Sequence, residues 1–96
     1  MEKDYLEELF EGLGDVTVRR LFGVYGVYRR GLLFGLMSDG SIYLKTGPGN
    51  LDDFLSRGLP PFEYARKGKR VNMSFHRVPD ELPDDPELAA AWGMRA

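Results

Sequence analysis

The stretch Leu21-Phe22-Gly23-Val24-Tyr25-Gly26-Val27-Tyr28, continued by Gly31-Leu32-Leu33-Phe34-Gly35-Leu36 and Asp39-Gly40-Ser41-Ile42-Tyr43-Leu44-Lys45, decides the fold. Aromatic and β-branched residues recur in it between glycine turns, which is the pattern of a strand meander. Val16, Val18, Phe22 and Val24 fall on a two-residue period, predicting one long strand from Val16 to Tyr28 with a bend or bulge at Gly23 and Gly26. Arg29-Arg30-Gly31 turns the chain, and Leu32 to Met37 is a nearly all-apolar strand. Ser38-Asp39-Gly40 is a hairpin turn whose glycine can take positive φ, and Ser41 to Thr46 closes three strands.

Outward from this meander the patterns change. Tyr5, Leu6, Leu9 and Phe10 lie at helical spacing with glutamates opposite, predicting a helix near 4–11 that ends before Gly12 and Gly14. After Thr46, Gly47-Pro48-Gly49-Asn50 breaks the sheet, and Asn50 reads as the N-cap of a helix over 51–57 carrying Leu51, Phe54 and Leu55. Pro60 and Pro61 stop it from continuing past Gly58. Phe62 to Arg66 and Arg70 to Val78 form a second hairpin joined at Lys67-Gly68-Lys69 and ended by Pro79. Asp84-Asp85-Pro86 caps a last helix near 85–94 that turns Leu88 and Trp92 inward. The order is α-β-β-β-α-β-β-α. It describes an α+β fold, a five-stranded, mainly antiparallel sheet with helices packed on one face. Leu9, Phe22, Phe34, Leu36, Leu44, Phe54, Met73 and Trp92 are its expected core.

Composition sets outer bounds. Ninety-six residues, 43% of them hydrophobic, suit a single domain over 1–96 with one core. There is no cysteine and only one histidine, which leaves no disulfide framework, thiol nucleophile or ordinary zinc site. No apolar run approaches the roughly 20 residues of a membrane helix, and the charged N-terminus is unlike an export signal. A cytoplasmic protein without membrane contact is expected. The net charge of −2 is unevenly spread: residues 1–15 hold six acids and one lysine, residues 80–96 five acids and one arginine, and residues 16–79 eleven bases and four acids. A basic sheet thus lies between acidic ends, either to neutralise them or to meet an anionic partner.

No constellation for catalysis stands out, and the chain is read as a non-enzyme with no cofactor and no metal. Gly23-x-x-Gly26 lacks the third glycine and long helix of a dinucleotide loop and fits bulging or close packing. Gly47-Pro48-Gly49-Asn50 precedes a helix but lacks the lysine and hydroxyl of a phosphate loop. Ser74 and His76 lie two apart on one strand and Asp80 follows, yet side chains at i and i+2 run parallel and do not converge. The cluster Arg66, Lys67, Lys69 and Arg70 is different. Four cations on one hairpin tip, beside Phe62, Tyr64 and Phe75, suit contact with a partner or with nucleic acid, although a hairpin tip is also where solvated lysines protect a sheet edge.

The same residues carry a family likeness. Leu21-Phe22-Gly23-Val24-Tyr25-Gly26-Val27-Tyr28, the Asp39-Gly40 turn and Tyr43-Leu44-Lys45 resemble the MFGG-x-G-x-Y, D-G and Y-L-K segments of the N-terminal domain of TfoX (Sxy) competence regulators. Pro61-Phe62-x-Tyr64-x-Arg66-Lys67-Gly68, Met73-Ser74-Phe75, Val78-Pro79 and Trp92 continue the likeness, so that it spans about residues 14 to 95. Leu21 stands where methionine is usual, Val24 where a second glycine is common and His76 where an aromatic is frequent. The resemblance implies a fold like that of small α/β secretion chaperones. It also implies a regulatory role, since longer members add a helical C-terminal domain and promote expression of DNA-uptake genes as coactivators alongside a cyclic-AMP receptor protein. The sequence ends at Ala96, so a stand-alone N-terminal domain is expected.

Two functional readings follow. The first is a non-enzymatic cytoplasmic interaction module, a regulator of competence or transcription acting through protein contacts, its partner an unidentified protein such as the transcription machinery or a second copy in a homodimer. The alternative is direct nucleic-acid binding through Arg66, Lys67, Lys69 and Arg70, with the steep salt dependence that phosphate contacts bring.

Overall fold

The computed structural model of the chain describes residues 2–21, 23–66 and 69–96, with the backbone alone for residues 21, 64–66 and 69–73. Its sheet has six strands where the sequence pattern predicted five. The expected long first strand is two, β1 (Val16–Leu21) and β2 (Val24–Arg29), paired antiparallel from Val16↔Arg29 to Leu21↔Val24. Gly23 turns the chain between them at φ +84°, a region closed to most side chains. The two-residue period misleads here because it holds across the turn. Gly26 lies inside β2 without a register shift, so it is not a bulge.

The next two turns are as read from the sequence. Arg30-Gly31 joins β2 to β3 (Leu32–Ser38), and Asp39-Gly40, at φ +50° and +79°, joins β3 to β4 (Ser41–Lys45). α2 (Leu51–Leu55) then carries the chain over to the hairpin of β5 (Pro61–Arg66) and β6 (Lys69–Arg77). β6 slots beside β4, giving the order β1-β2-β3-β4-β6-β5 with every pairing antiparallel.

A bulge in β3 sorts the core. Val27 pairs with Gly35 and Tyr28 with Leu33, which leaves Phe34 as an extra residue. Phe34 therefore joins the helix-covered core although Leu36, two residues on, faces the other way. α1 (Glu2–Leu9) lays Leu6 and Leu9 on the sheet, and the short 3-10 turn Glu11–Leu13 that follows adds Leu13. Phe10 meets Phe34 edge to face at 5.4 Å. The helix starts earlier than its predicted 4–11 and tightens into that turn at Glu11.

α3 (Pro86–Met94) begins as expected: the Asp85 carboxylate accepts from the Leu88 N–H at 3.1 Å and Pro86 takes the first helical position. Its inward residues differ from the expected pair. Ala89 and Gly93 are the buried ones, and Leu88 and Trp92 are half-buried at the flanks. The small residues let the helix axis approach the 3-10 turn, where a Cβ on Gly93 would come within 2.7 Å of Leu13 Cδ1. Trp92 leans sideways onto Phe54, ring centroids 4.9 Å apart. Leu9, Phe34, Leu36, Leu44 and Phe54 are buried as predicted, while Phe22 and the Met73 side chain lie outside the described residues.

Candidate functional site

The basic hairpin singled out in the sequence is placed by its backbone. Arg66 pairs with Lys69 and Ala65 with Arg70 at the end of β5 and β6. Lys67 and the side chains of Arg66, Lys69 and Arg70 lie outside the described residues.

His76 is on the helix-covered side of β6, opposite Leu44, with its ring 5.8 Å from that of Phe54. Its Nδ1 lies 3.1 Å from Thr46 Oγ1, and both residues are buried. Burial lowers the histidine's pKa, so the ring stays neutral more readily than in water. Ser74 and His76 both line an open cleft of about 560 Å³ with Thr46, Pro48, Leu51 and Leu55. Ser74 is exposed, Asp80 is exposed beyond the strand, and no hydrogen bond joins either to His76 among the described residues. Among the described residues the imidazole is oriented by a hydroxyl and meets no carboxylate of the kind that a triad general base uses.

The loop before α2 is also committed internally. Asn50, expected to cap the helix, instead turns its side chain back: Oδ1 accepts from the Gly47 N–H at 2.8 Å and Nδ2 donates to the Lys45 carbonyl at 2.9 Å. With the Gly47 N–H so engaged, this loop offers no free amide there to an anion. The helix is only five residues, ending at Leu55 where 51–57 was expected, and depends on Phe54 for its anchorage.

Among the described residues, the other side of the sheet carries no helix. Strand registers align one row across five strands, Arg19–Gly26–Leu36–Tyr43–Arg77. Leu36, Phe62 and Phe75 form a small apolar cluster here, 4%, 9% and 6% exposed, with Val24, Leu33 and Tyr43 half-buried around it. Tyr43 meets Phe62 edge to face at 4.9 Å. A Cβ on Gly26 would lie 3.1 Å from both Leu33 and Tyr28, so this glycine lets their side chains fold down over the strand. The Arg19 guanidinium in turn covers the Tyr28 ring at 5.8 Å.

Among the described residues, the charges on this face have one sign. Arg19, Lys45 and Arg77 are exposed on it, and none meets a carboxylate among the described residues. Elsewhere Arg30 meets Asp15 at 3.2 Å, Arg57 meets Glu81 at 2.7 Å and Arg95 meets Asp53, while Arg20 lies over the Tyr25 ring and the buried Arg29 Nε has no hydrogen-bond partner among the described residues. Sequence reasoning missed this arrangement because Arg19 and Arg77 sit far apart in the chain and only the strand order aligns them. The period-2 positions of β4 and β6 were the available signal.

Residues 8–96 match the TfoX N-terminal domain, so the chain belongs to the TfoX N-terminal domain family. Over 76 residues it is 26% identical to Protein Sxy of Escherichia coli (strain K12), an alignment covering 79% of this chain and 36% of that protein. The chain thus matches about a third of the length of this curated relative.

Proposed function

We propose that this TfoX N-terminal family member is a non-enzymatic regulatory module that acts through protein contacts, in competence or transcription control as its family likeness implies. The observation that supports this reading is the two-sidedness of the sheet. One face is filled by helices and a continuous core, and the other carries a small apolar cluster with half-buried Val24, Leu33 and Tyr43 around it and Arg19, Lys45 and Arg77, which meet no carboxylate among the described residues. A face of that kind suits association. The buried histidine is bound to a threonine and the glycine loop to an asparagine, which leaves those groups occupied with structure.

Affinity capture from native cell extract, with mass spectrometry of both the proteins and the nucleic acids retained, tests the reading. Specific protein partners are expected. Retention of nucleic acid alone, released steeply by salt, would instead favour contact through Arg66, Lys67, Lys69 and Arg70.

A further inference from the structure

We infer that the helix-free face of the sheet docks an acidic amphipathic helix of a partner protein, laid along the row Arg19–Gly26–Leu36–Tyr43–Arg77; this rests on the protein-contact reading above. The row crosses five strands, so its two arginines stand four strand spacings apart, about 19 Å. At 1.5 Å per residue a helix covers that distance in about 13 residues. Apolar side chains at i, i+3, i+4 and i+7 would rest on the half-buried Val24, Leu33 and Tyr43, which surround the buried Leu36, and carboxylates near the two ends would reach Arg19 and Arg77.

Three features of the face select this occupant. First, its charge is wholly cationic among the described residues, with Lys45 adding a third positive group and no acid to compete. Secondly, the row runs over the middle of the sheet, where strand backbones already pair with each other. An extended segment laid there would find no backbone partners, whereas a helix satisfies its own. Thirdly, the described aromatic rings are poorly presented for stacking bases: Phe62 and Phe75 are buried, the half-buried Tyr43 is engaged edge to face with Phe62, and Arg19 already covers Tyr28. Three cations on a chain of net charge −2 also make a weak field for a polyanion.

The test uses synthetic helical peptides of about 16 residues. One has leucines at i, i+3, i+4 and i+7 and glutamates near each end, and its twin has lysines in place of the glutamates. Each is titrated into the isotope-labelled full chain and into its Arg19→Glu/Arg77→Glu variant while backbone amide shifts are followed. A 16-residue single-stranded DNA is titrated in parallel. The acidic peptide should shift Gly26, Leu36 and Tyr43 and leave α1 unmoved, and the double variant should bind it about tenfold more weakly. The variant should gain the lysine twin, a reversal that unfolding could not produce. Equal binding of both peptides by wild type, shifts centred away from the row, or DNA binding there in preference to the peptide would each overturn the inference. Capture from extract separates the two levels. Protein partners held equally by wild type and double variant would leave the module reading standing and remove this site, and no protein held by either would remove the reading itself.

Discussion

Thr46 and His76, 30 residues apart in the chain, are joined by a buried hydrogen bond of 3.1 Å that ties the residue after β4 to the C-terminal end of β6. The bond matters to stability because burial lowers the histidine's pKa from its usual 6.5. The unfolded chain therefore takes up a proton at a higher pH than the folded one. Stability from this group is full above about pH 6.5 and falls as the pH drops below it. Glu81, held low chiefly by the hydrogen bond from Arg57, keeps its contribution until the pH falls below its usual 4.5, outside that window. Urea midpoints should thus decline between pH 7 and 5 in wild type and decline less in His76→Gln. Parallel declines in the two proteins would show that His76 protonates freely when folded.

The Phe54–Trp92 contact fastens α3 to α2. Because Trp92 is half-buried, Trp92→Ala should cost about 2–3 kcal/mol, below the roughly 3–5 of a fully buried large aromatic. A double-mutant cycle with Phe54→Leu should give a coupling of about 1 kcal/mol from the edge-to-face geometry. Strict additivity would mean that the two rings stabilise the protein independently.

Asn50 distinguishes a loop stitch from a helix cap. Aspartate replaces asparagine at an N-cap with little loss, but it cannot supply the Nδ2 donor to the Lys45 carbonyl. Asn50→Asp and Asn50→Ala should both destabilise, the alanine variant by about 1–2 kcal/mol, since part-buried partners are left unpaired. Thermal denaturation decides it, and an aspartate variant as stable as wild type would restore the cap.

The sequence made the local features legible and left the long-range ones hidden. Asp39-Gly40 could be read as a turn because the residue types demand its geometry, and Asp85-Pro86 as a helix start for the same reason. The break at Gly23 could not, since valines and aromatics alternate on both sides of it. Asn50 before a helix looks alike whichever way its amide turns. The extra residue at Phe34 leaves no mark in an apolar run, yet it sends Phe34 and Leu36 to opposite faces. The hairpin cations Arg66, Lys67, Lys69 and Arg70 drew notice because they are adjacent in sequence. Arg19 and Arg77 share a surface only because β6 inserts between β4 and β5.

If the helix-free face carries the protein's interactions, reversing a charge on that face alone should cost it partners. Capture from native cell extract is quantified for wild type, for Arg77→Glu on that face, and for Lys3→Glu on exposed α1, each first shown to melt like wild type. Arg77→Glu should lose proteins that wild type and Lys3→Glu retain in equal amounts. If Arg77→Glu retains the same proteins as the other two, the helix-free face is not where partners bind.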